Sequence, residues 1–213
     1  MTRISKQFRR LIERAPADVP VVFDIGGTQP AGVRTVGSCP SAFVIPVNLL
    51  DDGKEGLKLD AVTLPELPAA CCDGIFSSHL IEHVPYDEPH LMFKRWHEVL
   101  KPGGWLETRC PDAEWLAQQC FVEHKITPVM YTELLLGKRI AGAPFFQWCH
   151  QNVWWFEKLQ RALGDAGFRD VSHLEGDTKW LDWWPYDLSE VQYIGYRIKD
   201  LHVKANRSSG QNA

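Results

Sequence analysis

The sequence predicts an α/β fold, in which a mostly parallel sheet carries helices on both faces. Short apolar β-rich runs alternate with segments of helical periodicity, and this alternation is typical of such folds. Acids and glycines follow several of the runs, at the strand ends where ligands bind in parallel sheets. The 213 residues fit one domain over 1–205. The polar residues 206–213 form an expected disordered tail.

The first half of the chain predicts one helix followed by four strands. The helix occupies residues 1–15, and its apolar side contains Phe8, Leu11 and Ile12, so we expect it to dock on the domain. The strands are the apolar runs at 19–25, 42–47, 57–60 and 73–78. The second run contains Pro46, which indicates a strand that is short, bulged or near an edge. The segment between the first two runs shows no helical period.

The second half predicts three helices and three further strands. The helices cover 88–100, a segment from about 113, and 152–166, with Gly167 as the C-terminal glycine of the last one. The strands cover 105–110, a segment from 171, and 191–198. Residues 124–150 are rich in aromatic residues, glycine and proline, and give no clear pattern.

Composition excludes several classes of function. The net charge of −4 and the absence of a basic stripe argue against nucleic acid as a partner. No membrane span is expected, since no run approaches the roughly 18 apolar residues that one needs. The six cysteines form no C-x-x-C pair, which indicates reduced thiols in a cytoplasmic protein. Cys110 is read as a buried residue in preference to a nucleophile.

The segment SSHLIEHVP, at residues 77–85, contains the spacing H-x-x-E-H, a zinc signature of one class of peptidases. That interpretation requires His79 and His83 on one helical face, but Pro85 ends any helix near Val84. It also requires a third ligand. Glu123 and Glu133 are candidates, and nothing in the sequence selects either. We therefore assign no metal ligand and rank a zinc hydrolase third among the functions considered.

A second interpretation explains more of the chain. The strand at 73–78, the Glu-His pair, a helix and then LKPGG and a strand occur in that order. The flanking segments VVFDIGG, LKLDAVTLPEL and HQNVWWFEKLQRALGDAGFRDV fit the same scheme. Over roughly residues 20–200 the sequence resembles the class I S-adenosylmethionine-dependent methyltransferases, and in particular the small bacterial type. The resemblance implies a Rossmann-like methyltransferase fold with a seven-stranded sheet and an enzyme of the EC 2.1.1 type.

The resemblance also implies where S-adenosyl-L-methionine binds. Gly26 and Gly27 would approach the amino-acid end of the cofactor, and Asp24 would organise their loop. Asn48 stands where the family carries an acid that accepts the ribose hydroxyls, and Asp51 or Asp52 is the alternative. Two further positions, Asp60 and Ala61, would meet the adenine, and Ser77 completes the expected pocket. The glycine loop departs from a full G-x-G-x-G and lacks a clear following helix.

The acceptor pocket is expected in residues 113–155 and 176–188. These segments are rich in tryptophan: Trp115, Trp148, Trp154, Trp155, Trp180, Trp183 and Trp184. Each tryptophan either stacks on a sugar or aromatic acceptor or packs in the core or a homodimer interface. His79 and His150 are the candidate general bases, and His79 has a plain loop role as its alternative.

Together these features predict methylation of a small-molecule or glycan-like (saccharide) acceptor, with oxygen as the expected target atom. The main alternative is a catalytically silent methyltransferase-like scaffold.

Overall fold

In the computed structural model, a central sheet is built from eight of the described strands. The residues described are 3–49, 55–137, 149–174, 179–180 and 197–209. The first four strands are β1 (Val21–Ile25), β2 (Gly32–Val36), β3 (Cys39–Asn48) and β4 (Leu57–Lys58). The remaining four are β5 (Cys72–Ser78), β6 (Leu100–Pro111), β7 (Phe168–His173) and β10 (Asp200–Arg207). A separate two-stranded ribbon pairs β8 (Lys179–Trp180) with β9 (Arg197–Ile198).

The strand order is β2-β3-β1-β5-β6-β10-β7, and β4 pairs with β3 beyond the end of β2. The pairings of β1 with β3 and β5, of β5 with β6, and of β3 with β4 are parallel. Strands β2 and β10 run antiparallel to their neighbours. The carboxyl ends of β1, β3, β4 and β5 therefore share one edge, as the sequence predicts.

The described helices are α1 (Arg3–Glu13), α2 (Pro89–Val99), α3 (Ala113–Ala117), α4 (Pro128–Leu136) and α5 (Phe156–Asp165). A 3-10 turn covers Ile81–His83, and a π-helical turn covers Gln118–Val122. The predicted N-terminal helix is confirmed, and its apolar side docks through the buried Leu11 and through Phe8, whose ring centroid lies 6.2 Å from that of Phe23. Within the described ranges, no helix is long and apolar enough to cross a membrane.

The main hydrophobic core lies between one face of the sheet and helices α1, α2 and α5. The strands contribute alternate residues such as Phe23, Ile75 and Leu106, which are neighbours in register. Helix α2 contributes Trp96 and Phe93, which are among the largest fully buried side chains. This packing explains why the 88–100 segment has a helical apolar stripe, although α2 itself begins at Pro89.

A hairpin made by β2 and β3 covers part of the opposite face. Val36 and Ala42 of the hairpin form a small buried cluster with Val22 and Val44. The hairpin tip reaches β6 and β10, because the Ser38 amide donates to Glu107 at 2.8 Å and Lys204 donates to the Ser38 hydroxyl at 3.2 Å. In the family a helix follows the glycine loop. In this chain strand β2 follows it instead.

Pro46 is accommodated because the outer partner of β3 changes beside it. Strand β2 pairs with β3 only as far as Val44, and β4 begins at Val47. Pro46, which has no N–H, therefore lies between the part of β3 that pairs with β2 and the part that pairs with β4. The strand is longer than predicted, and no ladder hydrogen bond is lost.

Two predictions for the second half of the chain are wrong. Residues 152–155 are not helical, since Trp154 forms an isolated bridge to Asp112 and α5 begins only at Phe156. The strand that closes the sheet is β10 and not 191–198, of which residues 191–196 lie outside the described residues. Residues 206–207 of the expected tail belong to β10, and residues 210–213 lie outside the described residues.

Candidate functional site

The chain turns sharply at the end of β1. Gly26 has φ +89°, a left-handed conformation that glycine adopts without strain. Its amide donates to the Val47 carbonyl at 2.8 Å, which ties the turn to β3. A Cβ on Gly26 would lie 3.1 Å from Leu80, so the turn also packs closely against the loop after β5.

Gly27 is needed because the Asp24 carboxylate folds back over it. A Cβ at this position would lie 2.3 Å from the carboxylate of Asp24. Burial raises the pKa of Asp24, and the Arg34 guanidinium opposes that rise from 3.6 Å. Arg34 lies on β2 and also donates to the Pro30 carbonyl at 2.7 Å. The Asp24 carboxylate therefore lies between Gly27 of the glycine turn and Arg34 of β2.

Asn48 joins the end of β3 to the same turn. Its amide nitrogen donates to the carbonyls of Gly26 and Gly27, both at 3.4 Å. The Asn48 carbonyl accepts from the Leu59 amide at 3.1 Å, which connects β3 to β4. The predicted substitutes Asp51 and Asp52 lie outside the described residues.

Asp60 caps the turn that follows β4. Its Oδ1 accepts from the amides of Val62 at 2.8 Å and Thr63 at 3.0 Å. The next residue, Ala61, is half-buried and accepts from the Trp96 indole at 2.8 Å, which fixes its carbonyl. Leu59, by contrast, is part of the core and is only 3% exposed, so it lies beneath the edge.

Ser77 lies one layer below the surface of this edge. It is fully buried beside Thr108 in register, and neither hydroxyl has a hydrogen-bond partner among the described residues. Ile25, the residue before the glycine turn, is its neighbour on β1. Gly26, Asn48 and Asp60 thus form a continuous edge, with Ser77 supporting it from below. A half-buried glycine turn with amide and carboxylate groups beside it fits a nucleoside-type ligand such as S-adenosylmethionine.

His79 follows β5 and is held between two carboxylates. Its backbone is left-handed, with φ +51°, and its amide donates to the Arg109 carbonyl at 2.9 Å. Nδ1 lies 3.2 Å from Glu82 Oε1, and Nε2 lies 3.1 Å from Asp200 Oδ2. Burial lowers the pKa of His79, but the hydrogen bonds to Asp200 and Glu82 outweigh it and raise the pKa to about 10. The imidazolium donates through both nitrogens, which argues against His79 as a general base and favours a positioning role.

Glu82, His83 and His150 form the second group of polar side chains beyond β5. One ligand-type atom from each lies within 4.8 Å of the other two. Within the described part of the chain, Glu82 Oε2 and His83 Nδ1 are buried and have no hydrogen-bond partner. His150 donates through Nδ1 to the Leu135 carbonyl at 2.9 Å, so its other ring nitrogen carries the lone pair of the neutral ring.

Electrostatics keep these groups in defined states. Burial raises the pKa of Glu82, but the hydrogen bond and charge of His79 outweigh it, and the net pKa is lowered. Burial is also the largest cause that lowers the pKa of His150. Glu82 is therefore a carboxylate and His150 a neutral imidazole at pH 7.

The tryptophans predicted for the acceptor side divide between core and surface. Trp154 is 2% exposed and donates to the Ile81 carbonyl at 3.2 Å, so it is a core residue that supports the loop after β5. Trp155 is 40% exposed, and the Lys158 ammonium lies 5.4 Å from its ring centroid. Trp115 is half-buried on α3, which Asp112 caps. Residues 148, 183 and 184 lie outside the described residues.

The sequence interpretation missed several contacts of this site. Asp200 holds His79 from 121 positions away, and Leu80 packs on Gly26. On the other face of the sheet, Glu107 Oε1 accepts from His202 at 2.6 Å. The Arg109 guanidinium lies 3.6 Å from the same oxygen. Asp200 and His202 were missed because the closing strand was predicted at 191–198, before both residues. For Leu80 and Glu107 no local pattern gave a signal.

Comparisons with known proteins concern the family and the fold of the chain. A family model described as a methyltransferase domain matches residues 8–173. No curated protein sequence matches the chain. Solved structures show the same fold at low sequence identity. A SAM-dependent methyltransferase from Archaeoglobus fulgidus is 17% identical with a TM-score of 0.52, and the match covers 96% of this chain and 93% of that one.

Two other solved structures are similar. A SAM-dependent methyltransferase from Methanosarcina mazei is 16% identical with a TM-score of 0.51, and the match covers 93% of this chain and 97% of that one. The 1,6-didemethyltoxoflavin-N1-methyltransferase of Burkholderia thailandensis, with bound 1,6-didemethyltoxoflavin and S-adenosylhomocysteine, is 15% identical with a TM-score of 0.52. That match covers 96% of this chain and 78% of that one. The family match, the strand order and the glycine turn at β1 agree: the chain belongs to the class I S-adenosylmethionine-dependent methyltransferase family.

Proposed function

We propose that this protein transfers the methyl group of S-adenosyl-L-methionine to an oxygen atom of a small-molecule or glycan-like acceptor. The observation that carries the proposal is the shared edge at the ends of β1, β3, β4 and β5. Asn48 bonds to the glycine turn and to the backbone of β4, and Ser77 neighbours Ile25 beneath the turn. These positions are far apart in sequence, and only the parallel sheet brings them together.

Each residue of the edge has a role that suits one part of the cofactor. Gly26 and Gly27 would let the amino-acid end approach the backbone, with Asp24 holding the loop in place. Asn48 would accept a ribose hydroxyl through its amide oxygen, since its nitrogen donates to the turn. Asp60 would accept from the adenine amino group, beside Ala61.

The bound cofactor would supply an activated methyl group, and the chain would supply orientation, exclusion of water and a route for the acceptor proton. His79 holds the loop after β5 against Asp200 and Glu82 and therefore acts as a positioning residue. His150 has one nitrogen fixed by the Leu135 carbonyl, and the other can receive a proton. A hydroxyl acceptor must lose its proton, and this arrangement supports oxygen as the target. The small-molecule acceptor bound to the Burkholderia thailandensis relative supports the substrate class.

Calorimetry with S-adenosylhomocysteine tests the proposal without knowledge of the acceptor. Asp60→Asn is the sharpest variant, because its amide oxygen preserves the acceptor for the amides of Val62 and Thr63 while the carboxylate charge is lost. We expect a loss of affinity of about 10- to 100-fold, the equivalent of one hydrogen bond to a charged group. Asp18→Asn, an exposed acid at the amino end of β1, is the matched control and should bind as wild type.

Two results would count against this reading. If the wild type gave no heat and no thermal stabilisation with millimolar S-adenosylmethionine or S-adenosylhomocysteine, the silent-scaffold alternative would replace it. If Asp60→Asn bound as tightly as wild type, the assignment of the adenine position would be wrong.

A further inference from the structure

Three side chains of metal-binding type converge in the region that follows the carboxyl end of β5. They come from the turn after β5, which contributes Glu82 and His83, and from the segment before α5, which contributes His150. One oxygen or nitrogen of each lies within 4.8 Å of the others. The Glu82 side chain is 2% exposed, and His83 and His150 are half-buried.

Two atoms of this group are buried and have no hydrogen-bond partner among the residues that the structure describes. They are Oε2 of Glu82 and Nδ1 of His83. A buried polar atom without a partner costs about 1–3 kcal/mol, so a purely structural role would leave two such costs side by side. An ion or an ordered water would satisfy both atoms.

Two of the three side chains are also fixed by hydrogen bonds to the atoms that would not bind the ion, as is usual for metal ligands. Glu82 Oε1 accepts from His79, which leaves Oε2 for a second partner. His150 donates Nδ1–H to the Leu135 carbonyl, a bond that fixes the tautomer with a lone pair on Nε2. The rings of His83 and His150 are already in contact, with centroids 4.8 Å apart and planes at 87°.

The backbone keeps the two segments together. The Glu82 carbonyl accepts from the amides of Gln151 at 2.7 Å and Asn152 at 3.0 Å. The Gln151 side chain donates to the His83 carbonyl at 3.0 Å. His150 is thus positioned by the residues directly after it.

We propose that Glu82, His83 and His150 bind one divalent first-row metal ion, with Zn²⁺ as the probe of choice. Two imidazoles and one carboxylate are the three protein ligands of many catalytic zinc sites, which leave a further position open. In a tetrahedral site with bonds of about 2.1 Å, ligand atoms lie about 3.4 Å apart, so binding requires each pair of ligand atoms to approach by at most about 1.4 Å. This group differs from the H-x-x-E-H zinc site considered from sequence. His79 is committed to carboxylates, His150 takes the place of a third ligand, and neither Glu123 nor Glu133 belongs to the group.

The role of the metal rests on the proposed function. An acceptor oxygen at the open position would lose its proton to solvent more readily, because the ion withdraws charge from it. The oxygen would then form the new bond to the methyl carbon, the carbon–sulfur bond would break, and its electron pair would return to sulfur. With the metal bound, His150 is a ligand and no longer the proton acceptor.

Metal titration of chelator-treated protein tests the site directly. We expect one equivalent of Zn²⁺ by calorimetry, and Co²⁺ as a spectroscopic substitute should give the visible bands of a low-coordinate site. Glu82→Gln and His150→Ala should each weaken Zn²⁺ binding by at least about 100-fold, the upper range for loss of an outer-shell partner. His90→Ala removes an exposed histidine of α2 and should bind as wild type. Thermal melts without metal establish that each variant is folded.

The outcomes separate the metal site from the proposed function. Absence of stoichiometric binding in the wild type would overturn the inference, and so would a site that survives in both Glu82→Gln and His150→Ala. If Zn²⁺ binds as expected but S-adenosylhomocysteine does not, the metal site stands and the methyltransferase proposal fails.

Discussion

Glu107→Gln should remove a large part of the acid sensitivity of this fold. Glu107 is fully buried, and it accepts from His202 at 2.6 Å and from the Ser38 amide at 2.8 Å. Burial raises the pKa of Glu107, but these hydrogen bonds outweigh it and lower the pKa from 4.5 to about 2. The carboxylate therefore links the hairpin tip to β6 and β10 only while it is ionised.

The magnitude follows from this pKa. Each tenfold change in proton affinity is worth about 1.4 kcal/mol, so a pKa lowered from 4.5 to about 2 contributes up to about 3 kcal/mol at neutral pH. The sign is that of an acid with a depressed pKa. The stabilisation is complete above pH 4.5 and is lost as the pH falls towards 2. By pH 3.5 about 1.4 kcal/mol of it has gone.

Urea denaturation at pH 7, 5 and 3.5 measures the effect. At pH 7 the wild type should be more stable than Glu107→Gln, and the difference should shrink by about 1.4 kcal/mol at pH 3.5. Gln keeps the shape of the side chain but only one of its two acceptor oxygens, so it loses the charge and one of the two hydrogen bonds. The loss of that hydrogen bond is the same at every pH, so the change with pH measures the ionisation of Glu107. A difference between the two proteins that stays constant from pH 7 to 3.5 would refute the reasoning.

Two substitutions test the cofactor edge through its supports. Gly27→Ala places a Cβ 2.3 Å from the Asp24 carboxylate and should lower stability by about 1–3 kcal/mol. The same variant should weaken S-adenosylhomocysteine binding in calorimetry. Its control is Gly164→Ala, at an uncrowded position of α5, which should raise stability by about 0.5–1 kcal/mol and leave binding unchanged. Unchanged binding in Gly27→Ala would contradict the role of the glycine turn. Trp96→Phe and Trp154→Phe each remove an indole hydrogen bond from the core and should each lower stability by about 1–3 kcal/mol in urea titrations. Only Trp96→Phe releases the carbonyl of Ala61, so it alone should weaken cofactor binding, and an equal loss in both variants would be the contrary result.

The order of strands and helices could be predicted from the sequence, because the residues that face the core give each element a regular spacing of apolar residues. Helix α2 and strands β1 and β5 lie within a few residues of their predicted positions, since each carries apolar residues towards the core. Strand β2 was not predicted. It is held by pairing with β3 and by the contact of Ser38 with Glu107, 69 positions away, and neither interaction leaves a local pattern.

The parts of the candidate site that depend on strand ends were also accessible. Gly26, Asn48 and Asp60 each follow an apolar run, and a parallel sheet brings such positions to one edge. The states of His79 and His150 were not accessible, because they depend on partners contributed by distant segments. Asp200 determines the first, and the Leu135 carbonyl determines the second.

Asp200 shows why the closing strand matters to the chemistry. Because β10 runs antiparallel to β6, its first residue lies opposite Pro111, at the edge where the parallel strands end. A strand placed at 191–198 would put its last residue, Ile198, at the opposite end of the sheet. Asp200 can therefore reach His79 only through the observed register, and His79 in turn holds Glu82 Oε1 and leaves Oε2 towards the two histidines. The geometry of the proposed metal site thus depends on the insertion of the last strand between β6 and β7.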